Sequence, residues 1–277
     1  MVGVLEGKDR MIREPVMAGQ FYSADRDALL AELKAMVPET EPKIDACGIM
    51  VPHAGYVYSG QTAGAVYGGI TPKDTYIIFG PNHSGRGSDF AYSSDLWQTP
   101  LGELSPDTEL FENIMTRTDL IAEDSAAHSF EHSIEVQLPF IQWTAPGAKI
   151  VPIAARYGDI SDLREIAGAV GSAVKEMSRD VVIVASSDMT HYESREEASR
   201  KDKKAIQKIL DLDAEGLLEV VEKDNISMCG YISTVIMILT VKELRARKGT
   251  LIKYTDSGEV TGDISQVVGY AGIVVSG

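Results

Sequence analysis

Short apolar runs closed by glycine, proline or polar clusters alternate along this chain with longer segments whose apolar residues return every three or four positions. Unbroken apolar strands alternating with amphipathic helices predict an α/β protein whose sheet is covered on both faces. Residues 48–51, 76–79, 149–155 and 181–187 read as inner strands, and 250–255 and 266–275 as closing ones. Helical spacing puts Leu29, Leu30, Leu33, Met36 and Val37 on one face, with Ser23 as N-cap and Pro38 as the stop. Further helices are predicted from Ser59 through GQTAGAVYGG, from Pro106 to about Met115, and over 160–177, 195–210, 214–221 and 231–244. The first strand, the small-residue helix and the strand at 76–79 make a βαβ unit. Residues 90–104 break into shorter runs that predict an antiparallel excursion, and 123–140 reads as helical. Residues 13–22 have no period and are expected to lie extended over the core surface. No internal repeat, low-complexity tract or composition shift divides the chain, so 1–277 is read as a single domain.

Two of the apolar runs end alike. Residues 46–60 (ACGIMVPHAGYVYSG) pass from a strand into a glycine-bordered loop carrying His53, and 75–85 (TYIIFGPNHSG) do the same with His83. The strand at 181–187 delivers Asp188 and His191 at a third terminus. Strand C-termini of an open α/β sheet border the crevice where ligands bind, so the two imidazoles are expected to converge on one metal. Two neutral imidazoles need an anionic partner. Asp188 offers a carboxylate version, and Cys229 a softer thiolate version suited to zinc, copper(I) or iron. Unpaired amides at the start of helix 231–244 favour the thiolate. His191 is placed to act as general base or as a hydrogen-bond partner to the ligands.

The remaining histidines, His128 and His132, are four apart, but Ser129 stands where a zinc protease HExxH pattern needs glutamate. That chemistry is excluded. His132 with Glu135 is expected to face the crevice, and His128 to face solvent. Arg86, after His83, is the one cation placed to meet an anion there, and is otherwise a solvated loop residue. No phosphate loop, dinucleotide fingerprint or nucleophile elbow occurs.

Charge narrows the partners. With 26 basic and 41 acidic residues the formal charge is -15, which opposes nucleic acid and anionic membrane surfaces. Cys47 and Cys229 lack CxxC spacing, so neither a disulfide framework nor a zinc ribbon is expected, and the cytoplasm fits best. The first 16 residues carry charges where a signal peptide needs an apolar core, and no run has the length of a membrane span.

In fixed order, RxPxxAGxFY at 13–22, VPHAGYxYSG at 51–60, GPNH at 80–83, EHSIExQLPF at 131–140, SSDMTHY at 186–192 and MCGY at 228–231 resemble the Memo family over nearly the whole chain. The resemblance implies a fold like that of the class III non-haem iron extradiol dioxygenases, a central mostly parallel or mixed sheet flanked by helices. Those enzymes hold Fe(II) with two histidines and a glutamate, and a further histidine acts as acid or base. By motif, the resemblance makes His53 and His83 the metal histidines, with Cys229 in place of the glutamate. It makes His191 the catalytic base with Asp188 beside it, and puts His132 in the same cleft. A thiolate changes the charge density and redox behaviour of the metal, so ring cleavage is not carried over. The implied cofactor is iron(II) or copper, with zinc a further candidate, and the implied partner is O2 or a small organic molecule. The alternative is a non-enzymatic peptide- or protein-binding module that retains a vestigial dioxygenase site.

Overall fold

A computed structural model describes residues 11–277. Most of the charged N-terminal stretch, read above as unlike a signal peptide, falls on residues 1–10, outside the described residues.

Strand β1 (Ile12–Arg13) opens the described chain, and helix α1 (Arg26–Met36) follows. Its cap is Asp25, whose carboxylate accepts the Ala28 N–H, so the helix starts later than Ser23 would have it. Strand β2 (Ala46–Val51) runs into α2 (Tyr56–Gly69), which begins ahead of Ser59 because Ser59 Oγ donates to Ala54 O rather than capping. Next come β3 (Thr75–Pro81), the short β4 (Phe90–Tyr92), β5 (Leu96–Thr99) and β6 (Gly102–Leu104), then α3 (Thr108–Met115), capped by Asp107, and β7 (Ala122–Glu123). The chain continues through α4 (Leu138–Thr144), β8 (Lys149–Ala155), α5 (Ile160–Met177), β9 (Val181–Ser186) and β10 (His191–Glu193). It closes with α6 (Arg195–Leu210), α7 (Ala214–Lys223), α8 (Tyr231–Glu243), β11 (Lys248–Asp256) and β12 (Val267–Ser276).

Among the described residues the main sheet has nine strands, in the order β10-β12-β2-β9-β3-β8-β4-β7 with β11 also paired to β12. Its centre, β2-β9-β3-β8, is parallel, flanked by antiparallel β12 and β4. The result is the expected mixed sheet with helices on both faces. Strand β9 sits between β2 and β3, so the first βαβ crossover steps over one strand position. Alternate side chains of β3 enter opposite layers. Ile77 and Phe79 pack with residues of α3, α5, α7 and α8, whereas Tyr76 and Ile78 pack with residues of α1, α2 and α4. Both faces are dry, which is why the inner strands read as continuous apolar runs. The small residues serve close approach. A Cβ at Gly48 would lie 2.6 Å from Val241 Cγ1, so α8 rests directly on β2.

One predicted helix is not formed. Within 123–140 only single 3-10 turns occur, at Ser125–His128 and Glu135–Gln137, before α4 begins. A carboxylate competes for the backbone here: Glu131 Oε1 accepts the His132 and Ser133 N–H groups, while Glu135 reaches out of the segment to the amides of Val16 and Met17. Residues 13–22 do more than cover the core, since Arg13 and Tyr22 are both buried against Glu135. Among the described residues no helix is long and apolar enough to cross a membrane.

Candidate metal centre

Because β2, β9 and β3 are neighbours and parallel, their C-terminal ends leave the sheet side by side, carrying His53, Asp188 and His83. Cys229 arrives from the other direction, in the turn before α8. That turn lies so close to the end of β9 that a Cβ at Gly230 would meet Ser186 O at 2.2 Å. One imidazole nitrogen from each of His53 and His83 and the Cys229 sulfur all lie within 4.8 Å of one another. His132 joins them, with its ring stacked on His83 at 4.7 Å and edge-on to His53 at 5.3 Å.

Hydrogen bonds select the tautomer of each histidine. Ser186 Oγ donates its single proton to Ser133 O (2.7 Å) and accepts from Gln137 Nε2 (2.9 Å), whose amide is oriented by a second bond to Pro52 O. The 2.9 Å contact between His53 Nδ1 and Ser186 Oγ therefore carries the histidine's proton, and Nε2 is bare. That Nε2 faces Cys229 Sγ at 3.2 Å. Similarly, Glu131 accepts from His83 Nδ1 at 2.9 Å and from the His83 backbone N–H at 2.6 Å. Burial opposes the Glu131 carboxylate, yet the bonds from His83 and Ser133 hold its pKa down to about 2. His83 thus also turns a bare Nε2 outward, on a side chain 37 % exposed. A carboxylate behind a metal-facing histidine raises its basicity and fixes its orientation.

The charges around the centre follow from burial. His53 is pushed well below the ordinary histidine range by burial, with His132, His83 and His191 adding to it, so it is neutral. His132 is lowered as well, chiefly by burial. His83 is raised, because Glu131 outweighs the cost of burying its cation. Burial, reinforced by the Asp188 carboxylate, pushes the Cys229 thiol up. In the metal-free protein Cys229 is therefore a thiol, and the start of α8 does not ionise it. Metal binding would expel that proton, giving a pH-dependent affinity.

Asp188 is not turned in as a ligand. Its Oδ1 accepts the His53 backbone N–H at 2.8 Å, while its own N–H donates to Cys229 Sγ at 3.3 Å, so it ties the two donors together. Burial raises its pKa from 3.8 to about 6. The folded state then binds more protons than the unfolded chain between those values. Its contribution to stability is full below about pH 4 and is lost as pH rises through about 6. Asp188→Asn is expected to flatten the pH dependence of metal-free unfolding over this window. At pH 7 the variant is expected to be more stable by on the order of 1–3 kcal/mol, read from denaturant curves.

His191 lies at the edge of the centre. Its Nδ1 donates to Ser227 O at 2.9 Å, leaving Nε2 as a proton acceptor. Two expectations are corrected. His128 is fully buried, donating Nε2–H to Ala91 O at 2.8 Å, and burial drops its pKa to about 4. Glu135 turns away from the crevice to Arg13 and Tyr22. Arg86 lies over the Phe130 ring at 4.7 Å.

Glu131, Ser186 and Gln137 escaped the sequence reading. The signal for Glu131 and Gln137 was present in 131–138, where Glu131, Ser133, Glu135 and Gln137 alternate with other residues at period two, a pattern foreign to a helix. Glu131→Gln is expected to lower metal affinity roughly tenfold or more by chelator competition, since it removes the charge behind His83.

An α/β protein that gathers two histidines from parallel strand ends and a cysteine from the turn before α8 is the class defined by this geometry. The Memo-like protein family profile matches residues 13–274. A MEMO1 family protein of Methanopyrus kandleri is 41% identical over 283 residues, covering 95% of this chain and 99% of its own. One from Archaeoglobus fulgidus is 42% identical over 264 residues, with the same coverage of 95% and 99%, and one from Pyrobaculum aerophilum is 41% identical over 276 residues, with 95% and 98%. The chain belongs to the Memo family.

Proposed function

We propose that this protein binds iron or copper through His53 Nε2, His83 Nε2 and Cys229 Sγ and carries out redox chemistry on O2 or a small organic molecule. The observation that carries the reading is the shared anchoring of the histidines: each is held at Nδ1, by Ser186 or Glu131, and one nitrogen of each lies within 4.8 Å of the sulfur. A donor set of two imidazoles and one thiolate suits copper, iron or zinc rather than magnesium or calcium. The bound metal would supply a redox-active Lewis acid with positions left for a further ligand.

The chain's own residues do the rest. Ser186 and Glu131 hold the ligand rings in place, and the buried peptide of Asp188 links His53 to Cys229. Asp188, protonated up to about pH 6, can give and take a proton, and His191, whose Nδ1 is held by Ser227 O, turns Nε2 free as the second acid-base group. His132 is neutral and contributes a flat wall against Phe21, 4.9 Å away. The chemistry requires Cys229 reduced, which agrees with a cytoplasmic setting.

Metal analysis after anaerobic purification tests the reading. Iron or copper near one equivalent is expected, falling to background in His53→Ala. A wild-type protein without iron, copper or zinc, or an unchanged metal content in the variant, overturns it.

A further inference from the structure

Beside the proposed centre, one buried polar group has no role so far. Tyr270 on β12 is 2 % exposed, and its hydroxyl makes no hydrogen bond among the described residues but is not one of the atoms sealed from solvent. Strand β12 runs antiparallel to β2 with Ile273 opposite Met50, and carried three residues further this register brings Tyr270 level with His53. Gly272, on the same side of β12, touches Val66 and Thr62 of α2, so the tyrosine ring lies on the face covered by that helix. Gly269, beside Tyr270, accepts the Met189 N–H and donates to Thr190 O, which brings Asp188 close to the phenol. Burial and Asp188 both push the phenol up, so it keeps its proton and remains a donor.

Two further tyrosines stand on elements that pack against β12, one on α2 and one on β10. Tyr58, on the first turn of α2, is 40% exposed. Tyr192 is 73% exposed and sits at φ +59° where the pairing of β10 with β12 is bulged. A left-handed backbone is costly for an aromatic residue, and such strain concentrates at functional positions.

We propose that Tyr270 is a contact residue for the ligand of the proposed centre, donating its O–H to an oxygen of an uncharged planar molecule that lies against Tyr58 and Tyr192. This inference deepens the functional reading above and rests on it for the site's purpose. Asp188 and the net charge of -15 disfavour an anionic ligand. An organic ammonium group offers the phenol proton no acceptor. A neutral oxygen acceptor on a flat ring satisfies the unpaired donor and covers exposed aromatic surface together.

The test uses the full-length metal-free protein and NMR titration with pyridine N-oxide, which is planar, neutral and a strong acceptor. Toluene, of similar size and without an acceptor, is the control. Tyr270→Phe is expected to weaken the N-oxide at least threefold and to leave toluene unchanged. Tyr192→Ala, at an exposed position that tolerates truncation, is expected to weaken both probes, and guards against a misfolded Tyr270→Phe. Equal changes for both probes in Tyr270→Phe would mean a structural role and overturn the proposal. So would no change for either probe, absence of N-oxide binding to the wild type, or tighter binding of benzoate or benzyltrimethylammonium. Because no metal is present, failure here is distinguishable from failure of the metal assignment, which is read from metal content alone.

Discussion

Cys229→Ser is expected to lower the affinity for copper(I) by at least about a hundredfold, and to abolish the sulfur-to-metal charge-transfer absorption of the copper(II) form. Altering a group behind a ligand already costs ten- to a hundredfold, and here a direct donor is exchanged for a hydroxyl that stays protonated and is a poor partner for a soft ion. The substitution barely changes volume. The Asp188 N–H that points at the sulfur, 3.3 Å away, can point at an oxygen instead, so the fold should persist. Chelator competition on wild type and variant, with circular dichroism as the folding control, reads the effect. An affinity within about threefold of wild type would show that sulfur is not a donor, and would leave the two histidines without an anionic partner. The pH profile adds a second criterion. Burial and Asp188 keep the thiol protonated in the metal-free state, so wild-type affinity should rise with pH more steeply than that of the serine variant.

The parts of this centre that sequence made legible are those bound to the chain by short-range rules. His53 and His83 each follow an apolar strand and precede a glycine, and the strand-end rule for α/β sheets then locates them without further information. Asp188 was placed by the same rule, but as a rival ligand. Its actual role, joining the His53 amide to Cys229, depends on β9 lying between β2 and β3, and no local pattern encodes that order. Glu131 was hidden for a different reason. Helical periodicity in 123–140 was matched by the apolar positions alone, while the Glu131 carboxylate takes the His132 and Ser133 amides of that segment from a helix. His128 shows the limit of polarity as a guide to exposure, because one backbone acceptor, Ala91 O, is enough to seat a neutral imidazole in the core.

Arg13→Ala is expected to destabilise the protein by about 3–5 kcal/mol, seen as a fall in Tm of roughly 10 °C. Arg13 is 6 % exposed and pairs with the fully buried Glu135, and its guanidinium also donates to His128 O and, at 2.7 Å, to Glu131 O. Truncation leaves Glu135 charged and dry, with only Tyr22 and the Val16 and Met17 amides for company. The cost arises from that orphaned charge rather than from the pair itself, so adding Glu135→Gln to Arg13→Ala should recover part of the loss. A double variant as unstable as the sum of the two single ones would contradict this account. The same arginine joins the N-terminal segment to the loop that bears Glu131, and Glu131 orients His83. Arg13→Ala should therefore also weaken metal binding several-fold at temperatures where the variant is still folded. This outcome would connect a buried ion pair remote from the ligands to the geometry of the centre they form.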